Sequence, residues 1–233
     1  MRYFKCKGLK KEWSAVTLGC WQIAPSKGWG DSCTEQSADS VIKSALDHGI
    51  TAFDTAEGYG DGESERRLGK SLGNKTHDVI IISKIWPDAS LTSSAYLKRL
   101  DNTLRALNRD YVDVYLIHFP SSYFNSIEQS KKLCDLMTEL KETGKAVTVG
   151  LSNFMEPNLL RLGKEIDSFV VNQVPYNILQ RKYEGKTREI CRNSAISYMA
   201  YSPTAQGLLA GRLSKQALNF PARKWNTLYQ EPL

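Results

Sequence analysis

The chain has 233 residues, 41% of them hydrophobic and 24% charged, with a formal net charge of +6 and a pI near 9.0. That length and apolar content allow one sizeable core, and a single domain over residues 1–233 is the default expectation. No apolar run approaches the roughly 18 residues of a membrane span, the start MRYFKCKGLKKEW lacks the apolar middle of a secretory signal, and Lys and Arg are scattered among acids, so a cytoplasmic protein without membrane or nucleic-acid partners is expected.

Seven strand-forming runs follow in chain order: AVTLGC, ITAFDT, DVIIISK, YVDVYLIH, AVTVGLSN, FVVNQ and ISYMAYS. Most are nearly continuous in Val, Ile, Leu and aromatics, as in parallel strands covered on both faces. Helical patterns lie between them. In TEQSADSVIKSALDHG, Thr34 is the cap, Val41, Ile42, Ala45 and Leu46 share a face, and Gly49 suits the left-handed stop. YLKRLDNTLRALNRD spaces Leu97, Leu100, Leu104 and Leu107 along one stripe. In SIEQSKKLCDLMTELKETGK, Ser126 and Gln129 fit a capping box, Leu133, Leu136, Met137 and Leu140 form the stripe, and Gly144 ends it. Pro157 sits near the start of a further helix. The cysteines Cys6, Cys20, Cys33, Cys134 and Cys191 are odd in number and widely spread, which reads as free thiols.

Such alternation predicts an α/β protein with a parallel sheet, either a barrel or a doubly wound open sheet. A doubly wound dinucleotide fold calls for G-x-G-x-x-G after its first strand, and LGCWQIAPSKGWG does not match. Polar residues instead cluster at successive strand ends. Asp54 stands at the tip of the second strand with Tyr59 in the loop beyond, Lys84 ends the third, and His118 the fourth. In a barrel those ends converge on one face. Taken singly, each has an ordinary role: Asp54 a helix cap, Lys84 an exposed strand end, Tyr59 an amphipathic loop residue, His118 a hydrogen-bonded core residue. Together they supply what carbonyl reduction needs: a phenol as proton donor, an ammonium to make it more acidic, a carboxylate to fix the ammonium, and an imidazole beside the substrate oxygen. Trp29, Trp86 and Phe119, in or beside these loops, fit either an apolar substrate wall or ordinary packing.

DTAEGYG, the strand-end Lys84, LIHFP, GLSNF, VNQVPYN and AYSP occur in the order and approximate spacing of the aldo-keto reductases, and the chain resembles that family from about its first strand to Leu213. Within the family it is most similar to the bacterial oxidoreductases grouped with potassium-channel β subunits. The resemblance implies a (β/α)8 TIM barrel and NAD(P)H-dependent reduction of an aldehyde or ketone, with NADP the expected cofactor and NAD also possible. It implies a catalytic tetrad of Asp54, Tyr59, Lys84 and His118, with no metal. It further implies that Ser152, Asn153 and Gln173 hold the nicotinamide carboxamide and that Tyr201 stacks on the ring. By the same likeness Trp21 and Gln22 touch the cofactor, Ser202, Pro203, Thr204, Ala205 and Gln206 wrap the pyrophosphate, and Arg212 lies near it. Thr204 departs from the family's usual Leu.

The pattern breaks after AYSPTAQGLLAGRL, where an eighth strand and helix are expected and the polar, turn-rich SKQALNFPARKWNTLYQEPL follows. The expectation is therefore a barrel lacking its eighth βα unit, incomplete at the C-terminus, with open edges on the first and seventh strands and weak hold on the cofactor's adenosine end. A cofactor-binding regulatory protein like the channel β subunits, or an inactive truncated remnant, are the competing readings. The substrate and the oligomeric state are left open.

Overall fold

The computed structural model describes residues 1–30, 33–211 and 219–225. The chain opens with a short antiparallel pair, β1 (Tyr3–Phe4) and β2 (Trp13–Ser14). Seven parallel strands follow, paired in chain order: β3 (Leu18–Gly19), β4 (Ala52–Asp54), β5 (Ile80–Ile85), β6 (Val112–Ile117), β7 (Ala146–Ser152), β8 (Phe169–Pro175) and β9 (Ser197–Tyr201). One helix crosses over between each pair of neighbours: α1 (Glu35–Asp47), α2 (Glu63–Leu72), α3 (Ser93–Leu107), α4 (Ile127–Glu142), α5 (Glu156–Leu162) and α6 (Lys186–Asn193). A single turn, α7 (Pro221–Lys224), comes last among the described residues.

Alternation along the strands separates two cores. Phe53, Ile81, Tyr115, Ile117, Val149 and Leu151 pack outward with the helices. Ala52, Ile80, Ile82, Val114, Leu116 and Val171 face one another in a second cluster with Trp13 and Cys6. Side chains of β4, β5, β6 and β8 can meet on one side only if the sheet curls, so this second cluster is the interior of a nearly closed barrel, with the β1–β2 pair against it. The seven expected strands and the barrel are thus present, and β3 and β9 are the outer strands of the sheet among the described residues.

The caps behave as their chemistry requires. Thr34 and Ser126 each accept a backbone N–H from three residues on, Ser37 and Gln129 respectively, while Gly49 and Gly144 take positive φ just past their helices. The α4 stripe of Leu133, Leu136, Met137 and Leu140 is buried. One expected face is corrected. Val41 is exposed, and α1 buries Ala38, Ile42 and Ala45 instead, a stripe rotated toward the small Ala38. On α3, Tyr96 joins Leu100, Leu104 and Leu107 in the core, with Leu97 only partly covered.

Helix α2 turns a polar face inward: Ser64, Glu65 and Arg67 are buried with Leu68, Gly69 and Leu72. Gly69 is required there, because a Cβ would run into the backbone of Leu107 on α3. Ser83 donates a hydrogen bond to Glu65 Oε1 at 2.6 Å, yet burial pushes the Glu65 carboxyl up to about 7 from 4.5. The sign of the linkage follows. Below about pH 4.5 folded and unfolded chains both carry the proton; between there and about 7 only the unfolded chain releases it, so stability falls as pH rises and then levels off. At about 1.4 kcal/mol per pH unit the full loss is about 3 kcal/mol. Glu65→Gln keeps an acceptor for Ser83 without the ionisation. We expect urea melts to place this variant level with the parent at pH 5 and more stable at pH 8; equal stability at both would rule the effect out.

Candidate active site

The interior-facing parity of each strand carries through to its C-terminal end. Ala52 points inward, and so does Asp54 two residues on; Ile82 leads to Lys84, Leu116 to His118, and Val171 to Gln173. The register brings these ends level: Asp54 pairs with Ile82, Lys84 with Leu116, and Ser152 with Gln173. Asp54, His118, Ser152 and Gln173, from β4 to β8 or the residue just beyond, therefore line one cleft of about 1970 Å³, with Lys84 buried behind Asp54 and Tyr59.

Lys84 is fully buried, and its ammonium donates to Asp54 Oδ2 at 2.8 Å, to the Thr55 carbonyl at 2.7 Å and to the Tyr59 hydroxyl oxygen at 3.2 Å. The other carboxylate oxygen of Asp54 accepts from Gln173 Nε2 at 2.8 Å. A buried cation thus has a carboxylate partner, and that partner is itself held on both oxygens. Burial costs the ammonium, but Asp54 and Tyr59 outweigh it and Lys84 stays protonated, above its ordinary range. Burial also raises the Tyr59 phenol, with Lys84 offsetting part of the rise. Acidification by Lys84 is therefore partial. The structure gives a phenol that retains its proton at neutral pH, and among the described residues no acceptor takes that hydrogen.

His118 is buried, its ring stacked on Phe119 at 4.8 Å and edge-on to Trp86 and Tyr59 at 5.1 and 5.6 Å. Burial and then the Lys84 cation hold its pKa well below the usual value, so it is neutral at neutral pH. Its Nδ1 is buried without a partner. Trp86 and Phe119 are 41% and 36% exposed, forming a wall beside the imidazole. Trp29 also lines the cleft but shows little surface, packed against Trp21 and Phe220.

Trp21, Gln22, Ser152, Asn153, Gln173, Tyr201, Ser202, Thr204 and Gln206 all line the cleft. Two neighbours do not: Pro203 is exposed away from the cleft lining and Ala205 is buried beneath it. The kinked backbone of this loop, with positive φ at Ser202, Ala205 and Gln206, turns some side chains aside. Arg212 lies outside the described residues. Asn153, in the left-handed region that Asn tolerates, donates to the His118 carbonyl at 3.0 Å and accepts from the Tyr201 hydroxyl at 2.9 Å. Sequence reasoning missed the Gln173–Asp54 bond, the stacking of Trp21 on Tyr59 at 5.8 Å, and the packing of Phe220–Trp225 beside the cleft. There Ala222 N–H donates to the Gly28 carbonyl at 2.9 Å and Arg223 to the Gln206 carbonyl at 2.7 Å. Phe220 and Trp225, two of the three large aromatics in that mostly polar stretch, are the signal the sequence holds for this packing.

Toward a dinucleotide, the polar atoms gather at one end of the cleft. The Ser152 hydroxyl and the Asn153 and Gln173 amides stand at two paired strand ends; both amide nitrogens already donate within the protein, so the Ser152 hydroxyl and the Gln173 side-chain oxygen are what this group offers a carboxamide. Gln206 adds a buried Oε1 without a partner in the same cleft.

The aldo/keto reductase family model matches residues 15–229. The chain is 29% identical over 225 residues to aldo-keto reductase YhdN of Bacillus subtilis, covering 93% of this chain and 66% of that protein. It is 26% identical to the NADH-specific methylglyoxal reductase of Escherichia coli, covering 93% and 72%. Its fold is similar to the crystal structure of an aldo-keto reductase from Klebsiella pneumoniae in complex with NADPH, with a TM-score of 0.75, 29% identity, and 88% and 68% of the two chains covered. The chain spans about two thirds of the length of these relatives. By the extent of the family match and the shared barrel, this chain belongs to the aldo/keto reductase family.

Proposed function

We propose that the protein reduces small aldehydes or ketones to alcohols with NADPH or NADH, with Tyr59 as the proton donor. The observation that carries this reading is the Tyr59 hydroxyl, still protonated, 3.2 Å from an ammonium that is locked on Asp54, and opening on the cleft beside a neutral imidazole. When bound, the nicotinamide supplies the hydride. Tyr59 gives its proton to the carbonyl oxygen, and Lys84, already in place, stabilises the phenolate left behind. His118 Nδ1 is buried without a partner, and this reading places the ring hydrogen on Nε2. His118 then offers that hydrogen to the carbonyl and fixes its direction. Ser152, Asn153 and Gln173 hold the carboxamide, and Tyr201 sets the ring face. In the loop after β9, Ser202, Thr204 and Gln206, which line the cleft, take the phosphates, Pro203 and Ala205 shape the loop's backbone, and Arg212 supplies a further cation in the sequence beyond it.

No helix among the described residues is long and apolar enough to cross a membrane. The five thiols, all free, support a reducing cytoplasmic setting.

The test is an NADPH fluorescence titration paired with aldehyde-dependent NADPH oxidation. Gln173→Ala and Tyr201→Ala should each weaken NADPH binding about tenfold, the weight of one hydrogen bond or one stacked ring. Tyr201→Phe, which keeps the ring face, should bind within about twofold of the parent. Unchanged affinity in both alanine variants, or no oxidation with any reactive aldehyde, would sink the reading.

A further inference from the structure

Glu57 stands two residues before Tyr59 in the loop after β4, and its carboxylate joins three elements. Oε1 accepts the backbone N–H of Trp86 at 2.5 Å and Arg99 Nη2 at 2.6 Å; Oε2 accepts Arg99 Nε at 2.9 Å. Arg99, on α3, reaches on to Asp88 at 2.9 Å. A single exposed ion pair holds little. This one is different, because the guanidinium grips both carboxylate oxygens and the Glu57 side chain is only 15% exposed. The same carboxylate also takes the N–H of the residue whose indole forms the wall beside His118.

The two sides of that wall meet across Gly58. A Cβ there would lie 3.5 Å from the Trp86 ring, so the loop bearing Tyr59 rests directly on the indole. Trp86 has large exposed area and few other restraints, touching Phe119 and His118 edge-on. Moving the Glu57 carboxylate would therefore release the backbone of Trp86 and the approach to Tyr59 together.

We propose that Glu57, clamped by Arg99, is a positioning residue that sets the gap between Tyr59 and the Trp86 wall, and so governs acceptance of carbonyl compounds bearing an aromatic ring. The inference rests on the carbonyl-reductase reading. A ring attached to the carbonyl must lie against Trp86 and Phe119 while its oxygen reaches Tyr59 and His118. An aldehyde with a short alkyl chain makes no such demand.

Steady-state kinetics with 4-nitrobenzaldehyde and propanal should separate the two. Glu57→Ala is expected to raise KM for 4-nitrobenzaldehyde about tenfold with a smaller change in kcat, leaving KM for propanal and the Kd for NADPH within about twofold. Glu57→Gln keeps an acceptor for the Trp86 N–H and should recover part of the loss. Arg99→Met should resemble Glu57→Ala. Equal losses with both aldehydes, or no loss with either, would overturn the proposal. A second readout is the fluorine NMR signal of 5-fluorotryptophan at Trp86, assigned with Trp86→Phe: it should move in Glu57→Ala while the other tryptophan signals stay, and an unmoved signal overturns the positioning. Absence of turnover in the parent would instead overturn the reductase reading, so the two fail separately.

Discussion

Tyr59→Phe is expected to lower kcat by about 10² to 10⁴ while leaving NADPH affinity within about twofold. The substitution removes one hydroxyl from a ring that stays stacked on Trp21 and set over the Lys84 ammonium at 4.7 Å. Cofactor contacts and barrel packing are untouched, so the loss falls on proton delivery. Phe also leaves one ammonium hydrogen without the acceptor that Tyr59 supplied. Single-turnover NADPH oxidation with a reactive aldehyde measures the chemical step alone, and an unaltered rate there would remove Tyr59 from the role of donor.

Lys84→Met should cost about 3 to 5 kcal/mol of folding stability, the usual penalty for stranding one member of a buried ion pair. Met matches the length of the lysine stem and leaves the barrel interior filled, so packing contributes little to the loss. What remains is Asp54, 8% exposed, with Gln173 as its other hydrogen-bond partner. Adding Asp54→Asn removes the stranded charge, and the double variant should recover a large part of the deficit in urea denaturation. A double variant no more stable than Lys84→Met would mean that the cost comes from shape and not from charge.

The barrel was legible because its strands are continuous apolar runs and because α1, α3 and α4 carry ordinary stripes between recognisable caps. Two helices left no such trace. The buried face of α2 is Ser64, Glu65 and Arg67 as much as Leu68 and Leu72, and α6 buries only Thr187 and Cys191, so neither carries the long stripe of large apolar residues that marks α3 and α4. Arg67 explains the first case: it is spent on the carbonyls of Ile23 and Cys33, tying down the loop before α1. The strand-end side chains could be picked out because parity and position follow from strand geometry alone. The contacts between them could not, since Gln173 and Asp54 are 119 residues apart and meet only when the sheet curls.

An ammonium has three hydrogens, and those of Lys84 are allotted one each to Asp54, Thr55 and Tyr59. Its valence toward neighbours is closed before any ligand arrives. A substrate oxygen cannot be gripped by Lys84 unless one of these bonds is given up, so the lysine acts on the reaction as a stationary field source and Tyr59 is the terminal through which that field is felt. Chemical variety among substrates is then sensed by the phenol, the imidazole and the aromatic wall, while the charge behind them stays the same for every one.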